Sequence, residues 1–553
     1  MTKASDLLVS ALENEGVERI FAVPGEENLD VVESLRRSRI ELIVTRHEQA
    51  AAFMAATHGR LTGRPGVCLS TLGPGALNFT TGAAYAHLGA MPMLLLTGQK
   101  PIKSARQGRF QIVDIVGAMR PLTKMTRQIV SAASIPTLVR EAFRIATEER
   151  PGPVHLELPE DIAAEAAEAP LVPPHPIEWP VAAPPTVERV ASLILGAQCP
   201  LIMIGAAGNR PRLVEALSDF VRRARIPFFN TQMGKGAVTG SSDLYIGTAA
   251  LSERDYIHEA IDEADLIVAI GHDTVEKPPF LAAAARDRKL IHVGYLPASV
   301  EQVFYPDAEL VGDIGASVAA LAARLDGRIR PRRTLDTLRE RILSRVNERA
   351  DDSRFPIAPQ RLVRDVRSVV PEDGIVCLDN GMYKIWFARN YRTRIANTLL
   401  LDNALATMGA GLPSAIMAKL LNPGRRVLAV CGDGGFLMNS QELETAVRLR
   451  LDLVTLIIVD DAYGMIRWKQ AVDGFPDFGM TFGNPDFVKY AESYGARGHR
   501  VRAADELAPT LAAAFAAGGV HLIATPIDYS ENMRVFVDEL AGAKASGPTA
   551  GHD

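Results

Sequence analysis

The sequence predicts an α/β protein of three doubly wound, parallel-sheet domains. Two observations predict it: short apolar runs rich in Val, Ile and Leu alternate with helical patterns along the chain, and two breaks divide that alternation into three similar stretches. Near-continuous apolar runs are the mark of strands buried on both faces, and the intervening helices supply the cover. The 553 residues leave room for about three domains of ordinary size.

In the first stretch, 1–165, residues 19–25, 40–45, 66–71 and 92–97 read as strands separated by helices. Seven prolines follow between Pro170 and Pro185, a density that neither a helix nor a central strand accepts, so this is a linker. The second stretch, 186–330, has strand-like runs at 200–205, 265–271 and 290–294. A break at 326–358 opens on Asp326-Gly327-Arg328 and carries an arginine-rich helical pattern, read as a solvated linker helix. The third stretch, 355–540, has runs at 374–379, 426–431, 454–459 and 520–525, and the chain closes on a polar tail.

Composition excludes several function classes. With 47% hydrophobic, 23% charged and 6% aromatic residues the chain is ordinary globular protein, and intrinsic disorder is excluded as its main state. Sixty Lys and Arg stand against 65 Asp and Glu, net −5, with no basic stripe. Nucleic-acid binding therefore lacks its electrostatic footprint, and small molecules are the expected partners. Cys68, Cys199, Cys377 and Cys431 are far apart, which suits buried thiols better than a zinc ribbon or a disulfide framework. No apolar signal core opens the chain and no run reaches the ~18 apolar residues of a membrane helix, so a cytoplasmic location is expected.

In doubly wound sheets ligands collect where strands end and helices begin. The strongest such loop is Gly432-Asp433-Gly434-Gly435, between the 426–431 run and a helical pattern. Glycines let a backbone approach a phosphate, a helix amide end favours its charge, and an aspartate there can hold a divalent cation. Alone the motif is most often a tight turn. Asp460 ends the next strand 27 residues on, the length of a strand, helix and strand, which brings both carboxylates to neighbouring loops at one sheet edge. The pair can share one Mg²⁺.

These residues resemble the thiamine diphosphate enzymes, whose signature is Gly-Asp-Gly followed about one βαβ unit later by Asn or Asp. The resemblance implies that Asp433, Asp460 and the Ala462 carbonyl bind Mg²⁺. It places Gly432, Gly434 and Gly435, with Tyr463, Gly464 and Met465, around the cofactor. Asp460 departs from the commoner Asn, keeping a hard oxygen while adding charge. Arg46-His47-Glu48-Gln49 stands where a strand meets a helix and is followed by a small apolar surface. By residue type alone Glu48 complements a helix dipole; by resemblance it bonds the aminopyrimidine and is the catalytic group that activates the cofactor. Gly25, Pro74 of Gly73-Pro74-Gly75, and Asn78 match the pyrimidine-side loops. Met408 of Ala406-Thr407-Met408 would be the apolar wedge under the cofactor, with Ala406 and Met408 backbone on the pyrimidine, and Met382 and Tyr383 beside the diphosphate.

The resemblance spans nearly the whole chain, in the order pyrimidine-binding, central and diphosphate-binding domain. Within the superfamily it is nearest the acetolactate synthase large-subunit group, on the catabolic, flavin-independent branch. Phe110-Gln111 parallels the synthases' Phe-Gln pair, which gives Gln111 a place beside the reacting carbon. Decarboxylases of this kind carry paired histidines in this region, and residues 88–154 contain none. Ile270-Gly271-His272-Asp273 departs from the flavin-binding motif, so FAD is not expected. His272 and Lys277 are read as structural before substrate-touching; Gly205-Ala-Ala-Gly208 lacks dinucleotide-loop spacing; and His155, His292 and His521 are read as satisfied core histidines.

The implied activity decarboxylates pyruvate and ligates its two-carbon unit to a second pyruvate, giving 2-acetolactate, with thiamine diphosphate and Mg²⁺ as cofactors. A 2-oxoacid decarboxylase, or a carboligase with another donor or acceptor, is the alternative. A homodimer or homotetramer with the active site at the subunit interface is expected. A non-catalytic partner subunit is disfavoured by the intact Glu48, Asp433 and Asp460.

Overall fold

The computed structural model describes residues 2–103, 108–252, 255–276, 288–301, 304–329 and 335–542. Three six-stranded sheets organise them, every strand pair within each sheet being parallel. The first is built from β1 (Arg19–Val23), β2 (Glu41–Val44), β3 (Gly66–Ser70), β4 (Met93–Gln99), β5 (Met125–Gln128) and β6 (Pro153–Pro159), in the order β2-β1-β3-β4-β6-β5. The second takes β7 (Pro200–Ile204), β8 (Phe228–Thr231), β9 (Tyr245–Ala249), β10 (Leu266–Ile270), β11 (Lys289–Gly294) and β12 (Ala308–Val311), ordered β9-β8-β7-β10-β11-β12. The third takes β13 (Ile375–Leu378), β14 (Leu399–Leu400), β15 (Val427–Gly432), β16 (Leu453–Val459), β17 (Arg497–Arg500) and β18 (Val520–Pro526), ordered β14-β13-β15-β16-β18-β17.

The winding reverses between β1 and β3, between β7 and β10, and between β13 and β15. Each reversal leaves a crevice at the carboxyl ends of the strands where ligands can lodge. The sheet faces are covered by helices, and the cores between them are apolar side chains from both layers, such as Ile20, Leu69, Leu94 and Phe143 in the first and Ile202, Val268 and Phe220 in the second. The linker carries no regular structure from 168 to 183 and ends where a helix starts at Pro184, whose missing N–H is harmless in a first turn. All four cysteines are buried and none is in a disulfide. Among the described residues no helix is long and apolar enough to cross a membrane.

The chain packs as two compact units. One holds the described residues up to 178 together with 404–423 and 439–451; the other holds the remainder. Five helices matter below: α1 (Glu48–Thr62), α2 (Met382–Asn390), α3 (Gly411–Leu421), α4 (Glu442–Arg448) and α5 (Gly464–Val472). Within the first unit α1 packs on α3, and Thr57 donates to Ser414 Oγ at 2.9 Å between them. α1 is buried nearly all round because Ala50, Ala51, Ala52, Ala55 and Ala56 leave neighbours room to close in. It stops at Gly63, whose φ of +72° makes a left-handed C-cap.

Candidate active site

In the first unit the chain leaves β2, passes Thr45 and an extended His47, and enters α1 at Glu48. His47 caps the helix, its ring Nδ1 accepting the Gln49 N–H at 3.0 Å. The Glu48 carboxylate is buried, and Asn78 Nδ2 donates to its Oε2 at 2.9 Å. Asn78 ends the helix Gly73–Asn78 that follows β3 and is itself exposed, as is Pro74. Position 75 must be glycine for this contact, since a Cβ there would lie 2.9 Å from Glu48 Oε1 and 2.9 Å from Thr71 Cγ2. Gly25, at the end of β1, holds its loop by donating its N–H to Asn28 Oδ1 at 3.0 Å. Gly25 and Gly75 thus flank the first crevice, with Glu48 against Gly75.

The same unit brings in residues far along the chain. Asn439 Nδ2 donates to Gln49 Oε1 at 2.8 Å and to Gly409 O at 2.9 Å, so the helix start at Glu48 and the turn after Met408 are tied through one side chain. Met408 is half-buried and Ala406 exposed. Ala406 has φ +54° and Gln111 φ +58°, left-handed backbone that non-glycine residues adopt mainly where the surrounding structure imposes it. Gln111 is exposed and its carbonyl lies against Gly73.

In the second unit the other cluster sits at the ends of β13, β15 and β16. Gly432 and Ile458 are register partners, which is why Asp433 and Asp460 follow adjacent strand ends. Asp433 Oδ1 accepts from Gly434 N at 2.8 Å. Its Oδ2 accepts from Asp461 N at 2.8 Å, Asp460 N at 3.2 Å and Asn484 Nδ2 at 2.8 Å. Burial raises the Asp433 pKa against those hydrogen bonds. Asp460 is pushed up to about 7, first by burial and then by the nearby Asp433 charge. Its Oδ2 is buried, has no hydrogen-bond partner and is turned toward Gly464, where a Cβ would lie 2.3 Å away.

Asp461 has φ +52°, and Ala462 then pairs with Thr481 in an isolated bridge. The Tyr463 and Phe482 rings meet at 4.9 Å, tilted by 59°, and both come within 3.0 Å of where a Gly434 Cβ would stand. Tyr383, at the start of α2, accepts the Gly432 N–H on its hydroxyl at 2.9 Å. Met382 and Tyr383 open α2 after β13, and Gly464 and Met465 open α5 after β16, so two helix amide ends stand at the carboxyl edge of one sheet, on the two strands that flank β15. Gly435 is buried in the turn after Asp433.

Other residues read from sequence fall elsewhere. Lys277 and residues 105–107 lie outside the described residues. His272 is buried with both ring nitrogens lacking a hydrogen-bond partner, and burial pushes its pKa down to about 4. His155 is satisfied by Thr97 and Thr126, and His521 by His499 and the Gly518 carbonyl. His292 departs from expectation: Nε2 meets Leu296 O at 3.0 Å while Nδ1 is buried without a hydrogen-bond partner. Sequence reasoning missed Asn439, Glu442 and Asn484. The first two follow the Gly-Asp-Gly loop within the next ten residues, a proximity that could have drawn attention; nothing in the sequence around Asn484 sets it apart.

The residues present fit a divalent cation and a phosphate. Two carboxylates and a backbone carbonyl are hard oxygen donors, and an orphaned buried carboxylate oxygen is a group a cation would satisfy. Gly434 keeps open a space that a side chain would fill, beside helix amide ends that suit an anion. Comparison with known proteins agrees with this geometry. Residues 2–118 match the thiamine pyrophosphate enzyme N-terminal TPP binding domain, 187–321 the central domain, and 379–525 the C-terminal TPP binding domain. An acetolactate synthase of Bacillus subtilis is 33% identical over 97% of this chain and 95% of its own length. A catabolic acetolactate synthase of Raoultella terrigena is 36% identical over 96% and 95%. A probable acetolactate synthase large subunit of Methanocaldococcus jannaschii is 35% identical over 96% and 93%. With three domains matched in order over most of its length, the chain belongs to the thiamine pyrophosphate enzyme family and is a thiamine diphosphate-dependent enzyme.

Proposed function

We propose that the protein is a Mg²⁺-dependent acetolactate synthase that decarboxylates pyruvate and joins the two-carbon unit to a second pyruvate. The observation that carries this is the Glu48 carboxylate, buried against Gly75 and hydrogen-bonded by Asn78, in a chain whose relatives include acetolactate synthases at about one-third identity. Bound thiamine diphosphate supplies the nucleophilic carbon and the electron sink for loss of CO₂.

The chain's own residues do the rest. Glu48 holds a proton at a ring nitrogen of the aminopyrimidine, with Asn78 fixing which oxygen faces it. Asp433, Asp460 and the Ala462 carbonyl would hold Mg²⁺, and the amide ends at Met382 and Gly464, with Gly434, would take the diphosphate. Met408 offers an apolar support on a turn fixed by Asn439. Gln111 places the acceptor. The histidine-free stretch 88–154 removes the proton donors that would divert the product to an aldehyde. The working form is a homodimer or homotetramer with the active site at the subunit interface, free of flavin, in the cytoplasm.

Incubation of purified protein with thiamine diphosphate, Mg²⁺ and pyruvate tests this, with acetolactate and acetaldehyde measured in one sample. Acetolactate in excess is expected. Acetaldehyde alone, or untouched pyruvate, overturns the synthase assignment. An active monomer in sedimentation overturns the assembly, and flavin absorbance in the active protein overturns its absence.

A further inference from the structure

We propose that the turn at residues 439–442 is a positioning bracket for Glu48, acting through the two residues before it and the one after it. Glu442 is fully buried, and its carboxylate makes no ion pair among the described residues. Oε1 accepts the backbone N–H groups of Arg46 at 3.0 Å and His47 at 3.1 Å, and Oε2 accepts the Thr445 hydroxyl at 2.6 Å. Asn439, 1% exposed, donates to the Gln49 side chain and to Gly409 O, and its own Oδ1 accepts from Gln441 at 3.1 Å. The turn closes on itself through the Glu442 N–H to Asn439 O, at 3.2 Å. Residues 46, 47 and 49 are therefore all held by one turn almost 400 positions away, and Glu48 is the residue between them.

The physical reason for a carboxylate here is the entry to α1. Arg46 and His47 lie before the helix, so their N–H groups have no intrahelical partner, and a buried unpaired N–H is costly. A carboxylate can accept both in charge-assisted bonds and remain anchored by Thr445. Because Arg46 and His47 lead directly into Glu48, fixing them fixes where the Glu48 Cα starts. Catalytic geometry tolerates little drift: a displacement of about 1 Å can cost about a hundredfold in rate. The same turn holds Gly409, next to Met408, so it sets the two pyrimidine-side groups against one reference.

This inference rests on Glu48 being the group that activates thiamine diphosphate, and the test separates the two claims. Full-length wild type, Glu48→Gln, Glu442→Ala, Glu442→Gln and Thr445→Val are compared in three readouts. These are amide hydrogen exchange at 46–50 without cofactor, the dissociation constant for thiamine diphosphate with Mg²⁺, and the rate at which the bound cofactor exchanges its C2 proton. Glu442→Ala is expected to speed amide exchange at 46–50 and slow C2 exchange about a hundredfold, while cofactor affinity moves less than about threefold, since the diphosphate is held by other residues. Glu442→Gln, which keeps an oxygen for the two N–H groups, is expected to recover most of both.

Unchanged C2 exchange in Glu442→Ala overturns the bracket, as does slow C2 exchange with wild-type protection at 46–50 or with affinity lost in step. If Glu442→Ala does not fold, Thr445→Val must show the same pattern at smaller amplitude, and its absence overturns the bracket equally. Wild-type C2 exchange in Glu48→Gln overturns the underlying assignment; loss there, with the Glu442 and Thr445 variants unaffected, overturns the bracket alone.

Discussion

The first and third sheets are wound alike and carry different chemistry. Counting strands in chain order within each, both run 2-1-3-4-6-5, whereas the middle sheet runs 3-2-1-4-5-6. In the first sheet the third strand leads into the helix start Gly73-Pro74-Gly75, where Gly75 admits the Glu48 carboxylate arriving from the helix after the second strand. In the third sheet the equivalent strand ends in Gly432-Asp433-Gly434, and the acids stand in the loops themselves. One winding carries two loop sets, which in the function proposed above give a carboxylate to handle a proton and a carboxylate pair to hold a cation. In the middle sheet two strand-end loops approach closely, since a Cβ on Gly205 would lie 2.4 Å from His272 Cα. Fold supplies the crevice, and loop residues decide what it does.

The largest effect that sharpens this contrast comes from the first sheet. Glu48→Gln keeps size and the Asn78 contact but removes the proton-handling group, so turnover should fall about 10²–10⁴-fold with circular dichroism unchanged. Retained turnover would erase the distinction between the two loop sets. In the third sheet Asp433→Asn should act on the metal instead, raising the Mg²⁺ concentration needed for half-maximal activity by more than about a hundredfold in a titration, and excess Mg²⁺ should restore part of the rate. Metal cannot rescue Glu48→Gln in this scheme. If it did, the roles of the two sheets would be confused.

Much of this arrangement was legible in the sequence, and the misses have physical reasons. Runs such as Val454 to Val459 announce buried strands because neither face meets water. Met125–Gln128, reading Met-Thr-Arg-Gln, and Arg497–Arg500, reading Arg-Gly-His-Arg, are edge strands of the first and third sheets, and an edge strand keeps polar side chains on its wet side. Leu399–Leu400, only two residues long, has no period to read. At the site, Glu48, Asp433 and Asp460 could be found because their chemistry is local to a loop. Asn484 could not: it reaches Asp433 Oδ2 at 2.8 Å and Asp461 Oδ1 at 2.7 Å only because the chain folds back beside Ala462. Asn484→Ala should weaken Mg²⁺ binding about tenfold, the range of an outer-shell partner, with no change in the product. An effect as large as that of Asp433→Asn would make Asn484 a direct ligand and redraw the cluster.

The smallest effect on activity is expected in the middle sheet, where Glu276 offers a carboxyl in a crevice without an assigned ligand. It is buried, accepts from Met233 N at 2.6 Å and from the Thr231 hydroxyl at 2.8 Å, and burial pushes its pKa up to about 7. The unfolded value is near 4.3, so between about 4.3 and about 7 the folded chain binds more protons at this group than the unfolded chain does. The stability it contributes is complete below that window and is lost as pH rises through it. Glu276→Gln removes the titration while keeping an oxygen for Met233. Wild type and variant should therefore melt alike near pH 4, and the variant should be the more stable at pH 8, by of order 3 kcal/mol. Turnover at pH 7 should be unchanged. A loss of turnover without that pH-dependent difference would give the middle crevice a working carboxylate of its own, and the division of labour between the outer sheets would no longer hold.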